Sequence, residues 1–366
     1  MLDVLDLLIS VIGEFVGSWR FFGVFARKPV AWLMVSLCLF SLLPARAGAW
    51  GREGHRVIAR IAVSHLTAKT KAAIGELLQA DPDDREMCSQ QTSLDEKMAC
   101  VSTWADVVKR DLQFACTASL HFVNIPIYAP PPQRRYDARR DCANGDCVVG
   151  AIDHYRLILT DTTKRASERA LALKFIVHFI GDLHQPLHTA KDHDLDARNT
   201  ENHNRFRDSG DRGGNLKFVT WLGEPANQFG CWNLHAVWDD GIIDQIHADE
   251  TALANALDGA LDPQKIAGLQ RGTLVDWVNE AFGLAIGNAY HLPNHQGNDK
   301  VCEVPGGDKR DCDKYSPQTC RISEVHYRYH LGKDYFSQNL PAVKAQLTGA
   351  GVRLAKFLND IFDPLR

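Results

Sequence analysis

Two short stretches restrict this chain more than anything else in it: HFIGDLHQPLH at residues 178–188 and NLHAVWDD at 233–240. In the first, His178 and Asp182 stand four apart, so on a helix both side chains project to one point, and His188 follows just after Pro186 ends the helix. In the second, His235 and Asp239 repeat that spacing, giving two separate pairs able to chelate a metal ion. Further candidates are His55 in WGREGH (50–55), Asp106 in WAD (104–106) and His121 in LHF (120–122). Imidazole and carboxylate suit Zn²⁺, and so many such groups exceed what one four-coordinate structural site uses, so a cluster of several metals follows. His184 reads either as a ligand or as a hydrogen-bonding support for a ligand carboxylate. His65, His154, His247, His291, His295, His326 and His330 read as ordinary surface or hydrogen-bonded histidines.

The rest of the chain reads as mostly helical. Helical spacing of apolar residues recurs at Val57, Ile58, Ile61, Ala62 and Leu66; at Leu171, Phe175, Ile176, Phe179, Ile180 and Leu183; at Val275, Val278, Phe282, Ala285 and Ile286; and at Val352, Leu354, Ala355, Leu358 and Ile361. Only Leu216–Leu222 has a strand pattern. Pro126–Asp146, His193–Asn215 and His291–Gln318 break the helical pattern and read as surface loops. The second ends in DRGGN (211–215), whose two glycines let backbone amides approach a bound anion, unless the segment is a plain surface turn. With 366 residues and 45% hydrophobic composition the chain can bury a large core, which excludes disorder as its main state. A net charge of -4 excludes polyanion binding by bulk charge.

All 15 histidines lie after residue 49, and the first 49 residues are of another kind. Residues 30–43, VAWLMVSLCLFSLL, follow Arg27 and Lys28 and precede Ala47-Gly48-Ala49, the layout of a secretory signal; the run is shorter than the about 20 residues of a spanning helix. We therefore expect residues 1–49 to be removed, leaving a domain of residues 50–366 that starts at Trp50, in a secreted or periplasmic protein. Export puts nine cysteines in an oxidising compartment. Cys142 and Cys147 enclose a short turn and are expected to pair; Cys302, Cys312 and Cys320 are expected to staple a local loop, and the odd count leaves one thiol free.

Taken in order, WGREGH, WADVVK, LHFVNIP, CVVGAI, HFIGDLHQPLH, DRGGN and NLHAVWD resemble the S1/P1 nuclease family, secreted zinc-dependent nucleases. The resemblance implies an all-α fold, a single large helical domain of the phospholipase C/P1 nuclease type with a short β-hairpin and long disulfide-containing loops. It implies three zinc ions: the first held by Asp106, His121, His178 and Asp182, the second by His188, His235 and Asp239. The third would take His55, Asp182 as a bridge, and the amine and carbonyl of Trp50, so an uncleaved precursor would be nearly inactive.

The same resemblance implies an enzyme that hydrolyses single-stranded RNA and DNA at the P–O3′ bond to 5′-phosphate products. By the same resemblance a zinc-bridged hydroxide would be the nucleophile, and 3′-nucleotides would be further substrates. Asp106 would orient the attacking water, Lys109 would contact the phosphate, and Asn215, with Gly213 and Gly214, would lie near the scissile group. Phe122 would stack a base beside Asn124. Lysine at 109, where fungal members often carry arginine, replaces a bidentate phosphate contact by a point charge. Asparagine at 124, where some members carry an aspartate, puts base preference in doubt. The family reading implies a monomer without a stable protein partner and without membrane attachment once the signal is removed. Two other readings compete: a zinc-dependent phospholipase C on the same scaffold, and a secreted metal-binding protein without turnover.

Overall fold

The computed structural model describes residues 50–364, apart from 82, 84–87, 193–209, 225, 228–229, 247–248, 294–298, 303–324 and 328. The expected leader (1–49), Cys312, Cys320 and most of the second and third expected loops lie outside these residues.

The helices are α1 (Arg52–Ser64), α2 (Ala68–Gln79), α3 (Leu94–Val101), α4 (Trp104–Val108), α5 (Ala138–Asp141), α6 (Val148–Thr160) and α7 (Ala166–Leu183). They continue with α8 (Leu234–Ala236), α9 (Ile242–Asp244), α10 (Glu250–Asp258), α11 (Pro263–Leu269), α12 (Leu274–Leu284) and α13 (Lys333–Phe362). The fold is thus all-α, with strands confined, among the described residues, to two-stranded pairs. No helix among the described residues is long and apolar enough to cross a membrane.

Helix α7 is the hub. Its sequence, ASERALALKFIVHFIGDL, is apolar on nearly every face, and such a helix can only be stable inside a core. From Ala172 to Leu183 every residue is buried, and α1, α3, α4, α6 and α13 all pack on it. The helix starts where the Glu168 carboxylate accepts the Arg165 N–H (3.3 Å). It ends in a tight turn in which the His184 and Gln185 N–H groups donate to Gly181 and Asp182 carbonyls, both 3.0 Å, before Pro186. The one charged side chain in its middle, Lys174, is fully buried, donates to Asp81 (2.8 Å) and the Asp83 carbonyl (2.9 Å), and lies 3.8 Å over the Trp104 ring. Truncating Phe179, fully buried here, to alanine would cost about 3–5 kcal/mol.

Helices α1 and α13 cross closely because residue 351 is glycine: a Cβ there would lie 2.6 Å from Ile61 Cβ. Arg60, on the opposite side of α1, joins three elements by pairing with Asp95 and Glu96 (2.9 Å) of α3 and with Glu250 (2.8 Å) of α10. The four apolar stripes face the core as expected, with one correction. Val275 is 44% exposed, and Trp277, two residues on, is buried instead: Trp277, Val278, Ala281, Phe282 and Ala285 form one regular helical face, and Val275 lies to its side.

The expected strand at Leu216–Leu222 shrinks to three residues, Val219–Trp221. It pairs in parallel with Tyr329–Leu331 from the other end of the chain, a partner no local pattern can announce. A short antiparallel hairpin joins Ala226–Asn227 to Gly230–Cys231. The first expected loop contains α5, because Asp137 accepts the Arg139 (2.9 Å) and Arg140 (3.3 Å) N–H groups as an N-cap. Cys142 and Cys147 are bonded; so are Cys88 and Cys100, a pair not expected, and Cys231 is also in a disulfide. Cys116 is the free, exposed thiol among the described residues.

Candidate metal centre

Six separate elements deliver side chains to one buried region. Helix α7 brings His178 and Asp182 on one face, the 3₁₀ turn Pro186–His188 brings His188, and α4 brings Asp106 and Lys109. The 3₁₀ segment Ala115–His121 ends in His121, and α1 carries His55 in its first turn. His235 and Asp239 stand on a helical segment that passes from α8 into a π-helical turn, Val237–Gly241, instead of the regular α-helix expected. Such a turn aims the aspartate differently from an α-helical i+4 position, and π-turns concentrate at functional sites.

The ligand atoms converge in three groups, each within 4.8 Å: His121, His178 and Asp182; His55, Asp106 and His178, which shares His178 with the first; and His188, His235 and Asp239. His178 Nε2 lies 3.2 Å from Asp182 Oδ2 and 3.4 Å from Asp106 Oδ1, and His121 Nδ1 lies 2.9 Å from Asp182 Oδ2 and 3.5 Å from Asp106 Oδ1. His55 Nε2 is 3.4 Å from Asp182 Oδ1, which places Asp182 between two groups. Trp50 is fully buried at the start of α1, and the Gly51 N–H donates to the Asp239 carbonyl (2.9 Å).

Backbone carbonyls decide which imidazole nitrogen is available. His178 Nδ1 donates to Ser102 O (2.7 Å), His188 Nδ1 to His121 O (2.8 Å) and His235 Nδ1 to Gly213 O (2.7 Å). A carbonyl only accepts, so each Nδ1 carries a proton; the neutral His188 and His235 rings turn a lone pair inward at Nε2, while His178 Nε2 keeps a second proton beside Asp182 and Asp106 that a metal ion would displace. His188 and His235 Nε2 then face each other at 3.1 Å. Two lone pairs at that distance repel unless something electron-poor lies between or beside them. Both ring nitrogens of His55, His121 Nε2 and Asp182 Oδ1 are buried without a hydrogen-bond partner. Orphaned donors and acceptors at this depth are costly, and a bound cation is the simplest way to satisfy them together.

Electrostatics agree with the geometry. Burial opposes the charges on Asp106 and Asp182. Lys109 and His178 hold the first, and His178 and His121 the second, well below the usual carboxylate range. Burial would also neutralise His178, yet Asp182 and Asp106 pull its proton affinity up to about 10. Asp239 is pushed well above the ordinary range by burial and by Asp240, only partly offset by Gln185. Burial lowers His55 and His188, and lowers His121 and His235 to about 3, so these rings are neutral at pH 7. The cavity thus holds carboxylates in want of positive charge beside rings with free lone pairs, the donor chemistry that suits zinc.

Glycines make this arrangement possible. A Cβ at Gly181 would lie 2.7 Å from His55 Nδ1, and one at Gly213 would lie 2.3 Å from the Leu187 carbonyl. Gly213 and Gly214 have φ of 62° and 83°, so the DRGGN glycines turn the chain to aim a carbonyl at His235. Asp211 of the same motif is buried and pinned by the Asp192 N–H (2.9 Å) and the Tyr290 hydroxyl (2.9 Å). Asn215 is exposed and folds its amide onto Arg212 O (3.0 Å).

At the rim, Lys109 Nζ donates to Asp106 Oδ1 (2.5 Å) with its side chain 20% exposed. After His121 the chain is extended and alternates: Val123 and Ile125 point inward, while Phe122 is 37% exposed and Asn124 half-buried. His184 turns away from the cluster: its Nδ1 donates to Ile180 O (2.7 Å) and its Nε2 accepts from Arg353 (3.0 Å), so it neither approaches the ligands nor supports them. Sequence reasoning missed Gln185, whose amide donates to Asp239 Oδ1 (2.6 Å); its position between two candidate ligands was the available signal.

A family model described as S1/P1 Nuclease matches residues 50–363. Endonuclease 4 of Arabidopsis thaliana is 31% identical over 348 residues, covering 90% of this chain and 95% of that protein. Nuclease P1 of Penicillium citrinum is 30% identical over 316 residues, 85% of this chain and 97% of that protein, and Nuclease S1 of Aspergillus oryzae is 33% identical over 196 residues, 54% and 55%.

Proposed function

The chain belongs to the S1/P1 nuclease family and is a hydrolase of phosphodiester bonds, and from that premise we propose that it is a zinc-dependent endonuclease of single-stranded RNA and DNA. It cleaves the P–O3′ bond, leaves 5′-phosphates, and removes phosphate from 3′-nucleotides. The observation that carries this reading is the buried convergence of neutral imidazoles and carboxylates with backbone-fixed Nε2 lone pairs and orphaned polar atoms. Asp106, His121, His178 and Asp182 would hold a first zinc and His188, His235 and Asp239 a second; His55, Asp182 and the freed terminus of Trp50 would hold a third. Bound there, zinc supplies a water nucleophile at neutral pH and positive charge for the developing oxyanion.

The chain's own residues do the rest. The Asp106 carboxylate, 15% exposed and kept ionised by Lys109, accepts a hydrogen bond from the attacking water and orients it. Lys109 Nζ reaches a non-bridging phosphate oxygen from the rim. Phe122, flanking His121 in extended chain, stacks a base, and such stacking works only on unpaired strands. Asn124 and the Gly213–Asn215 turn line the same rim. This local cationic site removes the objection raised by the net charge of -4. We further infer that residues 1–49 are a leader removed on export, that residues 50–366 act as a monomeric secreted or periplasmic domain, and that the amide of an uncleaved Trp50 leaves the precursor nearly inactive.

The test is hydrolysis of single-stranded DNA, single-stranded RNA, a 3′-nucleotide and phosphatidylcholine by purified mature protein, before and after chelation and after zinc is restored. We expect zinc-restorable cleavage of both nucleic acids with 5′-phosphate ends and release of phosphate from the nucleotide. Cleavage of lipid alone would replace this reading by a phospholipase C.

A further inference from the structure

We propose that Gln185 is a positioning residue that locks the second candidate metal group, His188, His235 and Asp239, into one geometry; the proposal rests on the zinc reading above. Gln185 is fully buried. Its amide nitrogen donates to Asp239 Oδ1 (2.6 Å), and its amide oxygen accepts the Leu187 N–H (2.5 Å). Its backbone carbonyl accepts the His188 N–H (2.9 Å), and its own N–H donates to Asp182 O (3.0 Å). One residue therefore fastens the end of α7, the turn that presents His188, and a carboxylate on a separate helical segment.

The orientation of Asp239 follows from this. With Oδ1 engaged by the amide, Oδ2 is the oxygen left facing His235 Nε2, at 3.2 Å. An aspartate has two equivalent oxygens and a free χ2, so without the amide it could rotate either oxygen, or neither, toward the group. A glutamine also fixes which of its own ends points where. Leu187 N–H can only donate, so it selects the amide oxygen and leaves the NH₂ for Asp239. Gln185 does for Asp239 what the carbonyls of His121 and Gly213 do for His188 and His235: each member of the group has its orientation set by a hydrogen bond from outside the group. Such supports typically contribute a 10- to 100-fold factor in metal affinity.

Two substitutions separate the roles. Gln185→Met keeps length and removes both side-chain bonds. Gln185→Glu keeps an acceptor for Leu187 N–H but offers Asp239 no amide donor. The readout is zinc retained per chain, by native mass spectrometry, across a chelator titration of secreted protein, with His188→Ala as the reference for loss of the second zinc. Both Gln185 variants are expected to release one zinc at about 10- to 100-fold lower free chelator than wild type while the other two stay bound. Combining Gln185→Met with His188→Ala is expected to release no further ion. If the methionine variant fails to fold, the glutamate variant decides. Three zincs held with wild-type chelator resistance in the folded variant would overturn the positioning role. A wild-type protein that holds no zinc would instead overturn the underlying reading of the centre.

Discussion

Replacing Gly181 by alanine tests the packing of the centre with a single methyl group. On an α-helix this substitution is ordinarily favourable, by about 1 kcal/mol. Here the new Cβ would lie 2.7 Å from His55 Nδ1, 2.9 Å from its Cε1 and 3.4 Å from Ile58 Cδ1. The His55 ring cannot retreat cheaply, because it is buried and stacked on His178 with centroids 4.0 Å apart and planes 16° from parallel. Overpacking of this kind costs about 1–3 kcal/mol, so the net change in stability should lie between roughly 0 and 2 kcal/mol. Function should suffer far more. Moving His55 by even about 1 Å from the Asp182 oxygen it faces should weaken the third zinc and lower kcat on single-stranded DNA about 100-fold. Urea unfolding, zinc content and steady-state kinetics measured together decide the matter. A variant with three zincs and wild-type kcat would show that the His55–Gly181 contact does not position the centre.

Gly213→Ala should be worse, since a left-handed φ adds about 1–2 kcal/mol to a 2.3 Å approach to Leu187 O; zinc retention should fall with stability, and unchanged retention would refute the aiming of His235 by that carbonyl. Phe122→Ala should leave unfolding within about 0.5 kcal/mol but raise KM for single-stranded DNA about 5- to 100-fold, as expected for a lost stacked base; an unchanged KM would remove Phe122 from the substrate path. His184, lowered to about 3 by burial and by Arg353, binds its proton more readily in the unfolded chain. Its contribution is therefore complete above about pH 6.5 and declines as pH falls toward 3, at about 1.4 kcal/mol per pH unit. A His184→Asn variant should show a stability–pH slope shallower by about one proton over that window, and an identical slope would contradict the assignment. Cys88→Ser with Cys100→Ser opens a loop of sequence separation 12 and should lower stability by about 2–4 kcal/mol, read by thermal unfolding under oxidising conditions.

Much of the architecture is legible in the chain because it is written at short range. The stripe around Phe175 and Phe179 announces a buried helix, the His178–Asp182 spacing announces one shared face, and a four-residue turn between Cys142 and Cys147 announces a disulfide. What sequence leaves out depends on pieces meeting across long separations. The parallel pairing of Val219–Trp221 with Tyr329–Leu331 has no local signature. Nothing at Cys88 or Cys100 distinguishes partners 12 apart from other cysteines. The DRGGN glycines look like an anion loop in isolation, and only the fold reveals that His235 sits under the Gly213 carbonyl. His184 and Gln185 are neighbours of similar polarity; the end of α7 sends one toward Arg353 and the other toward Asp239, a divergence fixed by the turn before Pro186.

The central claim is a zinc cluster completed by a processed terminus, and native intact-mass measurement of the secreted protein tests both parts at once. We expect a chain whose mass starts at Trp50 and which carries three zinc ions, all lost together with nuclease activity on chelation. A mature, active protein with no zinc, or one whose terminus lies upstream of Trp50 and still holds three, would contradict it.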